Sequence, residues 1–385
     1  MKLKICMLLA RFYPIIGGTE LQAQRLSGAL VDMENDIFIL TARLKGLKKY
    51  EVINGLPIHR TFILGRDSIS SFFFCISSFI FLLKNSKKYD IIHVHLASSH
   101  AFSAILIKKL FGKKIILKFG GARKTGDIET SISKPCGKLK LKIIKKSFDI
   151  FVVPGNEVLA EIISAGFPKE KTFLIPNGVN TSIFRPVDIE EKTTLRKKLN
   201  IPTDCPICIY AGRIEQGKGL DALLNIWEKI PGNMHLLIVG EGSLLKNFRS
   251  SFTQKNIHFL GFQKNINEFL SASDAFILSS FGEGLSNAIL EAMSSGLIVL
   301  ANNIRSNADI ITDNYDGLLL NFESTFAVAE STLPAVVILK ICASLKTYSN
   351  LGIQARQTVI EKYSLPYIAN RYAQLYEKCL TEIQK

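Results

Sequence analysis

The chain has 385 residues, enough for about two domains that each bury a hydrophobic core. Of its net charge of +15, residues 1–185 carry 29 Lys and Arg against 13 Asp and Glu, a net of +16, which leaves −1 for residues 186–385. Seven scattered cysteines are an odd number, which argues against a disulfide framework and favours reduced thiols. Cys205 and Cys208 form a C-x-x-C pair without a second Cys or His pair at zinc spacing, so we interpret them as structural.

Apolar strand candidates alternate with amphipathic helical stretches along the chain. The strand candidates stand near residues 4–10, 37–41, 91–95, 114–119, 149–154, 207–211, 234–239, 257–260, 275–279 and 297–301. The apolar segment near residues 4–10 is too short for a signal peptide and is not followed by a small-residue cleavage site. We therefore expect a cytoplasmic location. Continuously apolar strands that alternate with helices predict parallel sheets covered on both faces. The fold class predicted is therefore α/β, with two Rossmann-like, doubly wound domains.

The turn-rich segment IPNGVNTSIFRP, residues 175–186, is the natural boundary between the two domains. We place the first domain at residues 1–182 and the second from residue 183 onward. In folds of this type ligands collect at the carboxyl ends of the strands, and two facing domains form a cleft there. The functional residues are therefore expected in the loops that follow strands.

The longest apolar run, residues 69–83, is followed by Lys84, Lys87 and Lys88. It is short for a membrane span and suits a buried or interfacial helix. A basic first half with such a segment predicts contact with an anionic membrane surface. A nucleic-acid-binding protein would also have a basic face, but the sequence contains no helix-turn-helix, RNP-like or zinc-finger motif. A basic surface that is only solvated is the third explanation.

Several glycine-containing loops at predicted strand ends suit a diphosphate. Gly17 and Gly18 follow the first strand and precede a helix expected to begin near residue 19 or 20. In the second half, Arg213 and Lys218 lie five residues apart on a loop that leads into a helix, and Gly240 follows the next strand. Two cations beside a helix start suit pyrophosphate binding, and a solvated turn is the alternative explanation for this loop taken alone. The absence of a G-x-G-x-x-G pattern disfavours a dinucleotide cofactor.

Glu283 and Glu291 stand eight positions apart across a predicted loop-to-helix junction. If the helix begins near Leu285, Glu291 lies about two turns in, while Glu283 stays at the positive end where an anionic ligand would bind. An ordinary acidic helix start is the alternative explanation, and the spacing alone does not separate the two.

Taken in order, these segments resemble the retaining GT-B glycosyltransferases of family 4, also called group 1. The family's E-x7-E pattern matches EGLSNAILEAMSSG at residues 283–296, and its G-R-x-x-x-x-K-G loop matches residues 212–219. NGVNTSIF, residues 177–184, matches the family's entry to the second domain, and Gly17-Gly18 matches its first loop. The resemblance extends over nearly the whole chain and implies a GT-B fold.

The resemblance also implies roles for single residues. Arg213 and Lys218 would neutralise the donor diphosphate and stabilise the leaving group, a catalytic role. Glu283 would position the donor sugar, and Glu291 would accept hydrogen bonds from the ribose. The chain contains no Asp-x-Asp tripeptide, so neither a metal nor a cofactor is expected.

The remaining implied contacts belong to substrate binding. Backbone amides near Leu285 and Ser286 would hold phosphate. Where many family members carry a T-x-H-G-like segment, this chain has Gly120 in place of the histidine. Lys118 or Arg123 could act there instead, and both could equally be acceptor or phosphate contacts.

The segment DIIHVHLASSH fits the family's H-x-H strand end. We expect His93 to be a buried, hydrogen-bonded histidine and His95 to line the site. The C-terminal segment, residues 365–385, resembles the family's terminal helix, which packs on the first domain. The second domain would then end at residue 364.

The activity implied is transfer of a hexose or N-acetylhexosamine from a nucleotide diphosphate sugar, with UDP-sugars favoured over GDP-mannose. The basic first half favours a lipid-linked saccharide acceptor in polysaccharide or lipopolysaccharide biosynthesis, with the enzyme peripheral on the cytoplasmic face of the inner membrane. A GT-B epimerase or phosphorylase, or a non-catalytic basic protein that binds lipid or nucleic acid, remains the alternative. No nucleic-acid partner is expected.

Overall fold

The computed structural model describes residues 2–15, 17–122, 126–282, 284–322 and 333–381. The chain forms two compact units, Met1–Gly178 with Leu365–Lys385, and Val179–Ser364. The first unit therefore ends at Gly178, whereas the sequence placed the boundary after residue 182. The reason is local pairing, because the Val179 N–H donates to the Tyr363 carbonyl at 2.9 Å and ties the start of the second unit to its own end.

An eight-stranded sheet with strand order β3-β4-β2-β1-β5-β6-β7-β8 forms the centre of the first unit. All its pairs are parallel except β3 with β4, an antiparallel hairpin around Asn54-Gly55. The elements are β1 (Lys4–Leu8), α1 (Gly18–Asp32), β2 (Asp36–Ala42), β3 (Tyr50–Ile53), β4 (Leu56–Thr61), α2 (Asp67–Lys84), β5 (Ile91–His95), α3 (Ala101–Phe111), β6 (Lys114–Lys118), α4 (Asp127–Ile132), α5 (Gly137–Ser147), β7 (Ile150–Val153), α6 (Asn156–Ser164), β8 (Thr172–Leu174) and the terminal helix α15 (Leu365–Thr381), with short 3-10 turns at Ser86–Lys88 and Lys169–Lys171.

Both faces of this sheet are buried, as its continuously apolar strands require. Along β1, Cys6 and Leu8 pack into the cluster on one face, and Ile5 and Met7 into the cluster on the other. The second cluster includes side chains of α1 and α15. The terminal helix is thus part of the hydrophobic core of the first unit.

The second unit is built on a six-stranded parallel sheet in the order β11-β10-β9-β12-β13-β14. Its elements are α7 (Ile189–Lys198), β9 (Ile207–Ala211), α8 (Leu220–Trp227), β10 (His235–Val239), α9 (Leu245–Ser251), β11 (Ile257–Gly261), α10 (Ile266–Ala272), β12 (Ala275–Leu278), α11 (Asn287–Ser294), β13 (Ile298–Asn302), α12 (Arg305–Ala308), β14 (Leu318–Leu320), α13 (Pro334–Ala343) and α14 (Leu345–Lys362).

Asp274, just before β12, fixes the two central strands of the second unit at their amino ends. Its Oδ2 accepts the Ile207 N–H at 2.8 Å and Arg196 Nη2 at 2.7 Å. Lys192 Nζ donates to Oδ1 at 2.9 Å. Because Ile207 opens β9, these bonds set β9 beside β12, and the loops at their carboxyl ends are held as neighbours.

The seven cysteines, all within the described residues, are unpaired thiols. The partner of Cys208 is Cys342 on α13, with the two sulfur atoms 3.7 Å apart in a buried position. The C-x-x-C pair is accordingly not a disulfide.

Helix α2 contains the long apolar run of the sequence. The outward side of this helix is apolar, and only 17% of its 18-residue window is buried. Within the described residues, α2 is the single helix long and apolar enough to cross a membrane, or one of two if the bent pair α13 and α14 counts as a span.

Candidate active site

Strand connectivity in the second unit reverses between β9 and β12, which lie side by side in the middle of the sheet. Ligands of open α/β sheets collect at the carboxyl ends of the strands at such a reversal. Residues 212–219 follow β9 and residues 279–286 follow β12. These are the loops that contain the cationic and acidic motifs of the sequence.

The two loops are joined by hydrogen bonds. Phe281 N–H donates to the Gly217 carbonyl at 3.1 Å, and Ser279 Oγ donates to the Gly219 carbonyl at 2.7 Å. Gly219 has a φ of +65°, and a Cβ there would lie 2.0 Å from the Ser279 carbonyl oxygen. Only glycine allows this approach of the two backbones. Lys218, between the two contacts, is therefore held against the second loop.

Arg213 and Lys218, the two cations of the loop after β9, differ in their exposure to solvent. Lys218 is half-buried, and its Nζ lies 3.4 Å from the Gly282 carbonyl oxygen. Arg213 is exposed, while its backbone carbonyl accepts a hydrogen bond from the Tyr210 hydroxyl at 3.3 Å. Lys218 is thus directed to the residue before Glu283 in the chain. Glu283 itself lies outside the described residues.

A third loop, after β10, packs against the cationic loop. The Gly212 N–H donates to the Val239 carbonyl at 3.0 Å, and the Ile214 N–H donates to the Glu241 carbonyl at 2.9 Å. Gly240 has a φ of +146°, and a Cβ there would lie 1.8 Å from the Gly212 carbonyl oxygen. The structure therefore brings Gly240 against the backbone next to Arg213.

A carboxylate that the sequence analysis missed connects the same two loops. Glu215 accepts hydrogen bonds from the Ser243 N–H at 3.0 Å and from Ser243 Oγ at 2.6 Å. These hydrogen bonds lower the pKa of Glu215, and Arg213 adds to the effect. No local pattern identifies this pair, because the two residues follow different strands.

Helix α11 begins at Asn287, later than the start near Leu285 that the sequence predicted. Ser286 is the N-cap, and its Oγ accepts the Ile289 N–H at 3.3 Å, so a capping residue occupies the expected first turn. Glu291 is consequently the fifth helical residue rather than about two turns in, and it is 8% exposed. A buried carboxylate near the helix start is a candidate ligand contact.

Connectivity in the first unit reverses at β1, which pairs with β2 on one side and with β5 on the other. After β1, helix α1 begins at Gly18, and Gly17 is its N-cap in an extended conformation. Buried Arg60, at the end of β4, donates from Nη2 to the Tyr13 carbonyl at 2.8 Å. Arg60, which the sequence analysis did not identify, thereby anchors the loop that precedes the two glycines.

Two buried imidazoles lie at the carboxyl end of β5. His93 Nδ1 is 2.7 Å from the Tyr376 hydroxyl, and the ring is stacked on that of His95 with 4.5 Å between centroids. Burial lowers the pKa of His93 to about 3 and that of His95 well below its usual range, and the charge of Lys118 adds to both shifts. Both rings are therefore neutral at physiological pH.

Lys118 is the last residue of β6, and it is paired with His95 in the parallel register of β5 and β6. Its Nζ donates to Asn177 Oδ1 at 2.9 Å and lies 5.5 Å from the centroid of the Tyr372 ring. Burial lowers the pKa of Lys118 to about 8. Among the ion pairs of the described residues, none includes Lys118.

At Gly120, where many family members have histidine, a Cβ would lie 2.6 Å from Leu96 Cδ2. The Gly120 N–H donates to Asp127 Oδ2 at 2.8 Å, and the Ala97 N–H donates to Oδ1 at 2.7 Å. Burial raises the pKa of Asp127, although these hydrogen bonds oppose the shift. A carboxylate that the sequence analysis missed thus joins the ends of β5 and β6. Arg123 lies outside the described residues.

The second unit therefore combines two cations, a buried carboxylate and a capped helix at one strand reversal. Cationic side chains and a helix N-terminus are suited to a diphosphate, and a carboxylate to hydroxyl groups. In the described ranges no three or more His, Cys, Asp or Glu side chains are grouped so as to hold a metal ion.

The fold is that of the GT-B glycosyltransferases, as the sequence predicted. The Anabaena protein HepE in complex with UDP-glucose superposes with a TM-score of 0.78 over 98% of this chain and 100% of that chain, at 15% identity. The model of the family described as "Glycosyl transferases group 1" matches residues 191–335, and that of "Glycosyltransferase Family 4" matches residues 16–183. The chain belongs to this family and is a glycosyltransferase.

Two relatives show the range of the family. The N-acetyl-alpha-D-glucosaminyl L-malate synthase of Bacillus anthracis is 24% identical, with 99% of this chain and 98% of that protein covered. The UDP-Gal:alpha-D-GlcNAc-diphosphoundecaprenol alpha-1,3-galactosyltransferase of Escherichia coli is 25% identical, with 63% of this chain and 65% of that protein covered.

Proposed function

We propose that the protein is a retaining, metal-independent transferase that moves a hexose or N-acetylhexosamine from a UDP-sugar to a lipid-linked saccharide acceptor. Its role is the biosynthesis of cell-surface polysaccharide or lipopolysaccharide. The observation that carries the proposal is the hydrogen-bonded contact between the Lys218 loop and the loop that leads to Glu291. It places cations and a carboxylate at one strand reversal.

In this proposal Lys218 and Arg213 stabilise the charge that develops on the departing nucleoside diphosphate. Arginine offers a planar fork to phosphate oxygens, and lysine offers a point charge. Electrostatic stabilisation is strongest when the cations are in place before the reaction. The bonds of Phe281 and Ser279 to the cationic loop supply that preorganisation, so the protein's own cations take the role of a divalent metal.

The proposed donor contacts follow the same geometry. Glu291 accepts hydrogen bonds from the ribose, Glu283 positions the sugar, and the amides near Leu285 and Ser286 contact phosphate. The UDP preference is supported by the EGLSNAILEAM pattern and by the names of two similar proteins, one bound to UDP-glucose and one that uses UDP-Gal.

The acceptor belongs to the first unit in this proposal, with the Gly17-Gly18 loop and His95 among its contacts. A lipid-linked acceptor is supported by the basic composition of this unit and by the undecaprenol-linked substrate in the name of the E. coli relative. Peripheral binding to the cytoplasmic face of the inner membrane follows from the same argument.

Calorimetric titration with UDP and GDP tests the donor assignment. We expect UDP to bind at least about tenfold more tightly than GDP, with the affinity unchanged by EDTA. A second assay follows UDP release from a panel of UDP-sugars, with and without a lipid extract as acceptor. Acceptor-dependent release supports the transferase, whereas donor conversion without an acceptor identifies an epimerase. No binding of either nucleotide contradicts the proposal.

The surface proposed to contact the membrane is the exposed face of α2, defined by Ile69, Phe72, Ile76 and Ile80. Their spacing of three and four residues places them on one side of the helix, and the exposed Lys84, Lys87 and Lys88 follow at its end. Apolar side chains beside lysines complement an anionic bilayer, in which each lysine contributes about 1 kcal/mol.

Replacing Phe72 and Ile76 with Glu should reduce sedimentation of the protein with phosphatidylglycerol-containing vesicles at least about tenfold, because each buried apolar side chain contributes about 1.5–3 kcal/mol. The control is Ile353→Glu, at a 63% exposed apolar position on α14 of the second unit. The affinity for UDP should stay the same in all variants. Equal sedimentation of the α2 variant and the control would show that this face does not bind lipid.

A further inference from the structure

Several buried polar side-chain atoms near the carboxyl ends of β5 and β6 have no hydrogen-bond partner among the described residues. His93 Nε2, both ring nitrogens of His95 and the Tyr372 hydroxyl are buried and form no hydrogen bond with the described residues. More than about 90% of buried polar groups in proteins are hydrogen-bonded, so such a cluster indicates a missing partner. These four atoms lie on three neighbouring side chains, because the His93 ring lies 4.5 Å from that of His95 and 5.6 Å from that of Tyr372 between centroids.

The charge of this cluster is also uncompensated. Lys118 Nζ has three N–H donors, and the contacts described above occupy one of them with an amide oxygen and place the aromatic face of Tyr372 beside the cation. No described carboxylate pairs with it, and His93 and His95 are neutral. Burying a cation without an anion is unfavourable. The cluster therefore presents one positive charge and several neutral donors.

Its position in the fold is that of a ligand site. His95 and Lys118 are the last residues of two adjacent parallel strands, beside the reversal at β1. Leu96, which follows His95 in the chain, has a φ of +68°, an unfavourable conformation for a bulky side chain. Buried charge and backbone strain at the carboxyl end of a parallel sheet are typical of functional positions.

We propose that Lys118 and His95 form a subsite for an anionic group of the acceptor, a carboxylate or a phosphate. The inference rests on the proposed function, in which the first unit binds the acceptor. Lys118 supplies the charge and its remaining N–H donors, and neutral His95 and the Tyr372 hydroxyl supply further hydrogen bonds.

The test measures anion binding to the full chain in the presence of saturating UDP, which blocks the diphosphate site of the second unit. Inorganic pyrophosphate and succinate are titrated separately into the wild type, Lys118→Met and Lys114→Met. Lys114 is the matched control because it begins the same strand with the same 7% exposure, at the end away from the proposed site. UDP affinity is measured for each variant.

We expect at least one of the two anions to bind the wild type and Lys114→Met equally, and to bind Lys118→Met at least about tenfold more weakly, because a charge-assisted hydrogen bond is lost. Preference for pyrophosphate identifies a phosphate-bearing acceptor, and preference for succinate a carboxylate. Unchanged UDP affinity shows that the donor site is intact. Failure of both anions to bind the wild type, or equal binding to Lys118→Met, overturns the subsite. A wild-type protein that does not bind UDP contradicts the proposed function instead.

Discussion

Lys218→Met is expected to lower kcat by about two to three orders of magnitude, the usual effect of removing one preorganised group that stabilises transition-state charge. Methionine keeps the apolar stem and removes the ammonium. Because Lys218 is half-buried beside the Gly282 carbonyl, water replaces its charge poorly. Arg213→Met should have a smaller effect, since Arg213 is exposed and its interactions are screened.

Initial rates of UDP release over a series of donor concentrations separate kcat from KM. A residue that acts on the leaving group lowers kcat and kcat/KM together, whereas one that only binds the donor raises KM. The control is Lys229→Met, an exposed lysine of the same unit. Unchanged kcat in Lys218→Met, with a folded protein, would exclude a role in the chemical step.

Glu291→Ala should weaken donor binding by about one to two orders of magnitude, because hydrogen bonds to a charged group contribute about 1.5–3 kcal/mol. Glu291 is 8% exposed on α11, so water cannot readily replace it as an acceptor for the ribose hydroxyls. The midpoint of thermal unfolding should stay nearly constant if the carboxylate serves the ligand rather than the fold.

Calorimetry with UDP and a thermal melt of the same samples distinguish these roles. Glu291→Gln keeps the shape of the side chain and should lose affinity as well, because the acceptor charge is gone. Glu190→Ala, at an exposed glutamate of the same unit, is the control. A Glu291→Ala protein that melts much earlier but binds UDP normally once folded would show that Glu291 is structural.

The sequence predicts the central strands of both sheets well because they are buried on both faces and read as continuous apolar runs. β3 and β4 were missed, since they are short, partly polar and antiparallel, although Asn54-Gly55 between them is a hairpin signal. β8 and β14, of three residues each, are too short to show a period.

Some residues of the candidate site could be predicted from the sequence, and others could not. Motifs contiguous in sequence, such as the loop from Arg213 to Lys218, could be found because their spacing is local. Glu215 with Ser243, and Arg60 with the Tyr13 carbonyl, could not, because each pair depends on which strands are neighbours in the sheet. The start of α11 was placed early for another reason, since Ser286 looks helical in the pattern but caps the helix through its hydroxyl.

The terminal helix α15 has a consequence for the order in which the protein forms during synthesis. Tyr372 and Tyr376 fill the core of the first unit, and Tyr376 completes the hydrogen bond of His93. These side chains leave the ribosome after the whole second unit. The N-terminal half of the chain is made first, but the part of its sheet that α15 covers stays exposed until that helix has been translated.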